Sequence, residues 1–155
     1  MTIEAITNEI QQFFNENGLN YTVIIDFDFG YYWETREVAY TLTLTERFDR
    51  LFQQFLTETY TDLTAPLFIW SLFHEVGHGE TDLLISDDLR EECENFKDTL
   101  DGTNDADTMK YYNCADERLA TDWAHNYIKE HYPEVKEFWN RLYPMIEAYY
   151  EEENN

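Results

Sequence analysis

Basic residues are scarce in this chain: 10 Lys and Arg stand against 33 Asp and Glu, for a formal net charge of -23. That excludes a nucleic-acid binder of the ordinary basic kind, because phosphate contacts need cationic side chains. Attachment to an anionic membrane surface fails for the same reason. Long apolar runs are missing too, and none approaches the ~20 residues that span a bilayer. The opening residues MTIEAITNEI are polar and acidic, unlike a secretory signal. Cysteine is limited to Cys93 and Cys114. Two thiols make no disulfide framework, so a reduced, cytoplasmic protein is expected. No stretch is rich in Gly, Ser or Pro, so no linker divides the chain, and 155 residues suit one domain over 1–155.

Large rings, by contrast, are abundant: 12 Tyr, 11 Phe and 4 Trp. They can build a packed core and argue against disorder. Ile3, Ile6, Ile10, Phe13 and Phe14 recur at helical spacing, and Asn17-Gly18 supplies a stop. Tyr21, Val23, Ile25, Phe27 and Phe29 alternate as in a strand, and so do Val38, Tyr40, Leu42 and Leu44. The link Gly30 to Glu37 is short enough for an antiparallel hairpin. Helical spacing returns at Phe48, Leu51, Phe52, Phe55 and Leu56. Leu67 to His78 reads as a buried helix, and Ser86 caps another with Leu89, Cys93, Phe96 and Leu100 on its apolar face. One long helix is expected from about Thr108 to Ile128. A last one opens at Pro133, is kinked at Pro144 and frays over 151–155. The expected fold class is α+β, predominantly helical with a small antiparallel β-hairpin or sheet.

Residues 74–78 read His-Glu-Val-Gly-His. On a helix, positions four apart share a face, so His74 and His78 can aim two imidazole nitrogens at one metal ion. Glu75 then lies where a general base reaches a water on that metal, the HExxH arrangement of zinc peptidases. A zinc site needs a third protein ligand. The metzincin continuation is absent, since Thr81 and Leu84 occupy the places of its Gly and His. An acid from a later helix must serve, and Glu117 is the foremost candidate, with Asp116 and Asp122 as rivals. Ala120 and Ala124 would let that helix come close. His125 and His131 are further, weaker candidates, and Tyr111, Tyr112 or His125 could donate to an oxyanion.

HEVGH followed by E-R-L-A-T-D-W-A resembles the ImmA/IrrE group of metallopeptidases, whose pattern is HExGH and then E-x-x-A-x-x-F-A. The resemblance covers about residues 66–128 and implies a zincin-like helical core. It also implies that His74, His78 and Glu117 bind one Zn2+ per chain, with Glu75 as the catalytic base. Members of the group cleave DNA-binding repressors. This chain departs from the pattern after the second helix, where HNYIKEHYP replaces an apolar segment ending in Met-Pro.

The charge is uneven. Residues 1–73 hold 11 acids against 3 bases, and residues 74–155 hold 22 against 7. Glu80 to Asp107 is densest, with 11 acids opposed only by Arg90 and Lys97. Dense carboxylates can occupy a groove built for nucleic acid, and Asp87, Asp88, Glu91 and Glu92 are the candidate partner-binding residues. Tyr31, Tyr32 and Trp33 on the hairpin would add aromatic anchors. Small size, extreme acidity and a zinc motif together resemble the zinc-binding anti-CRISPR proteins directed at type II systems. That resemblance implies a phage-encoded protein in the bacterial cytoplasm that binds an RNA-guided Cas nuclease and blocks its access to target DNA. Its zinc would be mainly structural, and it would bind no nucleic acid itself. The alternative is an active ImmA/IrrE-type zinc metallopeptidase cleaving a basic DNA-binding regulator, with Glu75 catalytic.

Overall fold

In the computed structural model, residues 1–154 are described. Among them lie seven α-helices and a three-stranded mixed sheet, so the fold class is α+β with helices dominant. No described helix is long and apolar enough to cross a membrane. The chain forms two compact units. One is built from Met1–Thr43 together with the residues from Tyr127 onward, and the other from Leu44–Asn126.

The first unit opens with α1 (Ile3–Glu16), capped where Thr2 Oγ1 accepts the Ala5 N–H at 3.1 Å. Its apolar stripe of Ile6, Ile10, Phe13 and Phe14 is buried, each side chain worth about 1.5–3 kcal/mol. Gly18 adopts a positive φ of 69°, the backbone that ends the helix at little cost. On α7 (Tyr132–Glu153), Val135, Phe138, Leu142 and Ile146 are buried, and Phe138 stacks on Phe13 with ring centroids 4.3 Å apart. This helix continues through Pro144 and stays helical to Glu153, where a frayed tail was expected; Asn155 lies outside the described residues.

The small sheet is mixed where an antiparallel one is expected. β1 (Thr22–Ile25) is short, and β3 (Glu37–Tyr40) pairs with it in parallel. The antiparallel partner of β3 is β2 (Gly30–Tyr32), giving the order β1-β3-β2. Asp26 causes the departure: its Oδ1 accepts the Phe27 N–H at 2.7 Å and its Oδ2 accepts the Tyr32 hydroxyl at 2.6 Å. The side chain thus offers the backbone a local partner and turns it out of the strand. Phe27, on the apolar side of the alternation, is left 82% exposed. Gln11 of α1 clips the edge of β1, donating to Tyr21 O at 2.9 Å and accepting from Val23 N at 2.8 Å.

The second unit consists of α2 (Glu46–Thr59), α3 (Leu67–Thr81), a 3-10 turn (Asp82–Leu84), α4 (Asp87–Asp98), α5 (Asp105–Tyr112) and most of α6 (Ala115–Glu130). α3 is apolar nearly all round and buries Ile69, Trp70, Leu72, Phe73 and Val76, as a central helix must. α4 is capped by Ser86 and buries only Cys93, so its expected apolar face is largely open: Phe96 is 41% exposed. The single helix expected over 108–128 is two. Asn113 Nδ2 donates to Met109 O at 2.9 Å and takes an acceptor of the α5 terminus. Cys114 O then accepts from Arg118 N at 2.8 Å and starts α6.

Candidate metal centre

The buried helix α3 carries His74 and His78 one turn apart, and α6 lies against it. What allows the close approach is Gly77. A Cβ there would sit 2.2 Å from the backbone oxygen of Ala120. Ala120 and Ala124 are fully buried, so small residues on both helices let the backbones meet. The contact delivers Glu117, one turn before Ala120, to the two histidines.

Glu117 Oε1 lies 3.1 Å from His74 Nε2 and 3.2 Å from His78 Nε2. His74 and Glu117 are buried, with 6% and 4% of their surfaces exposed, and the His78 side chain is 23% exposed. The rings stand nearly perpendicular, at 87° with centroids 4.7 Å apart. Phe52 from α2 packs edge-on against His74.

One hydrogen-bond chain fixes the His74 tautomer. Thr121, one turn beyond Glu117 on α6, donates its hydroxyl proton to Glu117 O at 2.9 Å. Its Oγ1 must therefore accept from His74 Nδ1–H, 2.9 Å away. In the neutral imidazole the lone pair is then on Nε2, facing a carboxylate oxygen. Two acceptors cannot hydrogen-bond each other. Either a proton or a cation belongs between them, and a metal ion satisfies both histidines at once.

Electrostatics make the same point. Burial raises the Glu117 carboxyl, but hydrogen bonds and charge from His74 and His78 outweigh it and hold the group well below the usual carboxylate range. Burial lowers His78, yet the Glu117 contact outweighs that and pushes it up to about 9. Without a metal, a proton on His78 thus stands in for the cation. Glu75, only partly exposed, is raised by burial against the opposing charges of the two histidines. His74, Glu75 and His78 can offer ligand atoms within 4.8 Å of one another.

The rival acids are engaged elsewhere. Asp116 Oδ2 takes Lys97 Nζ at 2.7 Å, and its Oδ1 takes the Glu117 N–H. Asp122 accepts from Tyr60 and lies beside Arg118. His125 pairs with Asp62 at 2.8 Å and stacks on Tyr60 and Trp70, apart from the metal ligands. His131 packs on Tyr127 in the other unit. Of the candidate donors, Tyr111 lies near the site. Lys97 Nζ sits 4.9 Å from its ring centroid, and burial followed by the Glu117 charge keeps its hydroxyl protonated. Tyr112 instead packs among Phe52 and Phe55. Asp87, Asp88, Glu91 and Glu92 stand exposed on α4, on residues not drawn into the centre.

Lys97 and Thr121 are functional-site residues that motif reading missed. Lys97 bridges Asp116 and Glu117, its Nζ 3.0 Å from Glu117 Oε2, an oxygen that also lies 3.2 Å from His78 Nε2. The sequence signals were one of only two bases in an acidic block and a threonine four residues after Glu117. Lys97 and Tyr111 also line a mostly apolar cleft of about 270 Å³ with Phe48, Leu100 and Tyr112. A second group, Cys93, Cys114 and Asp116, could also hold a metal by spacing. Burial and the Cys93 contact push the Cys114 thiol up to about 12, which disfavours the thiolate a metal needs. The chain matches no family profile, no curated protein and no solved structure.

Proposed function

We propose that the chain binds one zinc ion through His74, His78 and Glu117 and is a zincin-like, ImmA/IrrE-type hydrolase of peptide bonds. The observation that carries this reading is the meeting of both Nε2 atoms on one carboxylate oxygen at 3.1 and 3.2 Å. A zinc ion held by these three residues would supply Lewis acidity and an activated water.

The chain's own groups supply the rest. Glu75, its carboxyl raised by burial, is suited to accept a proton and hand it on. Tyr111 carries a protonated hydroxyl that can donate to a developing oxyanion. The cleft beside Lys97 and Tyr111 can seat an apolar substrate side chain. With a net charge of -23, the protein attracts basic polypeptides, in keeping with a DNA-binding regulator as substrate. Glu75→Gln tests this. It is expected to keep one zinc per chain and the thermal midpoint while lowering cleavage of a basic substrate by roughly 10²–10⁴.

A second reading is favoured by the acidity and by the exposed hairpin aromatics, with Trp33 68% exposed. In it the zinc is structural, and the protein binds the positively charged nucleic-acid channel of a type II RNA-guided Cas nuclease and excludes DNA. Full biological effect in Glu75→Gln, with the partner intact, favours this reading and sinks catalysis.

A further inference from the structure

The segment 26–37 concentrates two unlike kinds of residue. It holds five aromatics (Phe27, Phe29, Tyr31, Tyr32, Trp33) and four acids (Asp26, Asp28, Glu34, Glu37) against the single base Arg36. A folded chain ordinarily buries its rings, yet Phe27 is 82%, Trp33 68% and Tyr32 46% exposed. The bond from the Tyr32 hydroxyl to Asp26 Oδ2 ties the β2 end to the loop that carries Phe27. Tyr31, Tyr32, Trp33, Glu34 and Glu37 line a cleft of about 280 Å³ there.

The segment's own cation does not neutralise this cleft. Arg36 takes a positive φ of 54° in the turn, lays its guanidinium 4.6 Å over the Tyr21 ring and donates Nε–H to Asn20 O at 3.1 Å. That contact also shows what the hairpin's chemistry favours, a guanidinium on an aromatic face. Indole is the strongest ring for a cation, and Trp33 offers one beside two carboxylates. Arginine fits such a place better than lysine, because its planar fork can stack and bind a carboxylate at the same time.

We infer that the hairpin tip, Trp33 with Glu34 and Glu37, is a docking site for an arginine side chain presented by a partner protein. This goes beyond the metal-site reading and is independent of it, since these residues belong to the first unit and the metal ligands to the second.

The test uses the full chain and a synthetic peptide of alternating Arg and Gly, with the matching Lys-Gly peptide as comparison, by titration calorimetry. Trp33→Ala removes no charge and is expected to weaken Arg-Gly binding about tenfold. Trp33 is exposed, so the thermal midpoint should hold. Joint neutralisation of Asp87, Asp88, Glu91 and Glu92 removes four charges and is expected to change affinity by only about twofold. The Lys-Gly peptide should bind more weakly than Arg-Gly. Glu75→Gln and chelation of zinc should leave binding unchanged, so failure of the zinc reading does not touch this one. Equal binding by Trp33→Ala and the parent chain overturns the proposal. So does a loss that follows the α4 carboxylates, or a dimer of the parent chain that Trp33→Ala converts to monomer.

Discussion

Glu117 meets both histidines through Oε1 and meets His78 and Lys97 through Oε2, while its backbone carbonyl takes the Thr121 proton that sets the His74 tautomer. Thr121→Val keeps the shape but removes the acceptor for His74 Nδ1–H. It is expected to weaken zinc binding about 10–100-fold in competition with a chromogenic chelator, and Thr121→Ser to restore it. His78 gives a pH prediction for the metal-free protein. Its folded pKa, about 9, lies above the ordinary value of 6.5, so its contribution to stability is complete below about 6.5 and is lost as pH rises through about 9. Denaturant midpoints in the presence of chelator should fall across that window. Zinc affinity should climb across the same window, because the ion displaces that proton. The His-Glu-x-x-His pair was legible in the sequence because one turn of helix fixes its geometry. Glu117 was less so, since Asp116 and Asp122 lie on the same helix and only the approach of α3 selects among them. Lys97 was illegible, because an ion pair between separate helices leaves no periodic trace.

The α3–α6 contact lives at the scale of elements. A methyl group at Gly77 would meet three backbone atoms of Ala120, the nearest at 2.2 Å, and backbone cannot swing aside as a side chain can. Gly77→Ala is expected to cost about 3 kcal/mol, roughly 6–12 °C in thermal midpoint for a chain of this size, and to loosen zinc together with it. Scanning calorimetry with and without metal reads both effects. Helix positions were largely readable, as the buried stripes of α1 and α7 follow the apolar periodicity. The sheet was not. Strand alternation runs on through Phe27 and Phe29, but Asp26 bends the chain out of register, and β3 inserts between two strands that are neighbours in sequence. The break between α5 and α6 was missed for a related reason, a side-chain amide of Asn113 competing with the helix for its own carbonyls.

At the scale of the whole molecule, charge sets how the protein meets others. A net charge of -23 steers basic partners from a distance, and that reach shrinks with the Debye length. Raising salt from about 0.05 to 0.5 M should lower the association rate with a basic partner about tenfold or more, read by stopped-flow mixing. Composition made this much plain, since charge is a sum that needs no fold.

One unit is continuous, Leu44–Asn126, while the other draws on both ends of the chain, with the Met1 amino group paired to Glu152. A polypeptide emerging from the ribosome therefore presents His74, His78 and Glu117, the proposed ligands, before α7 exists. On the zinc reading a nascent chain could already capture the ion, whereas α1 and the sheet must wait for the final helix to be synthesised before their apolar faces are covered.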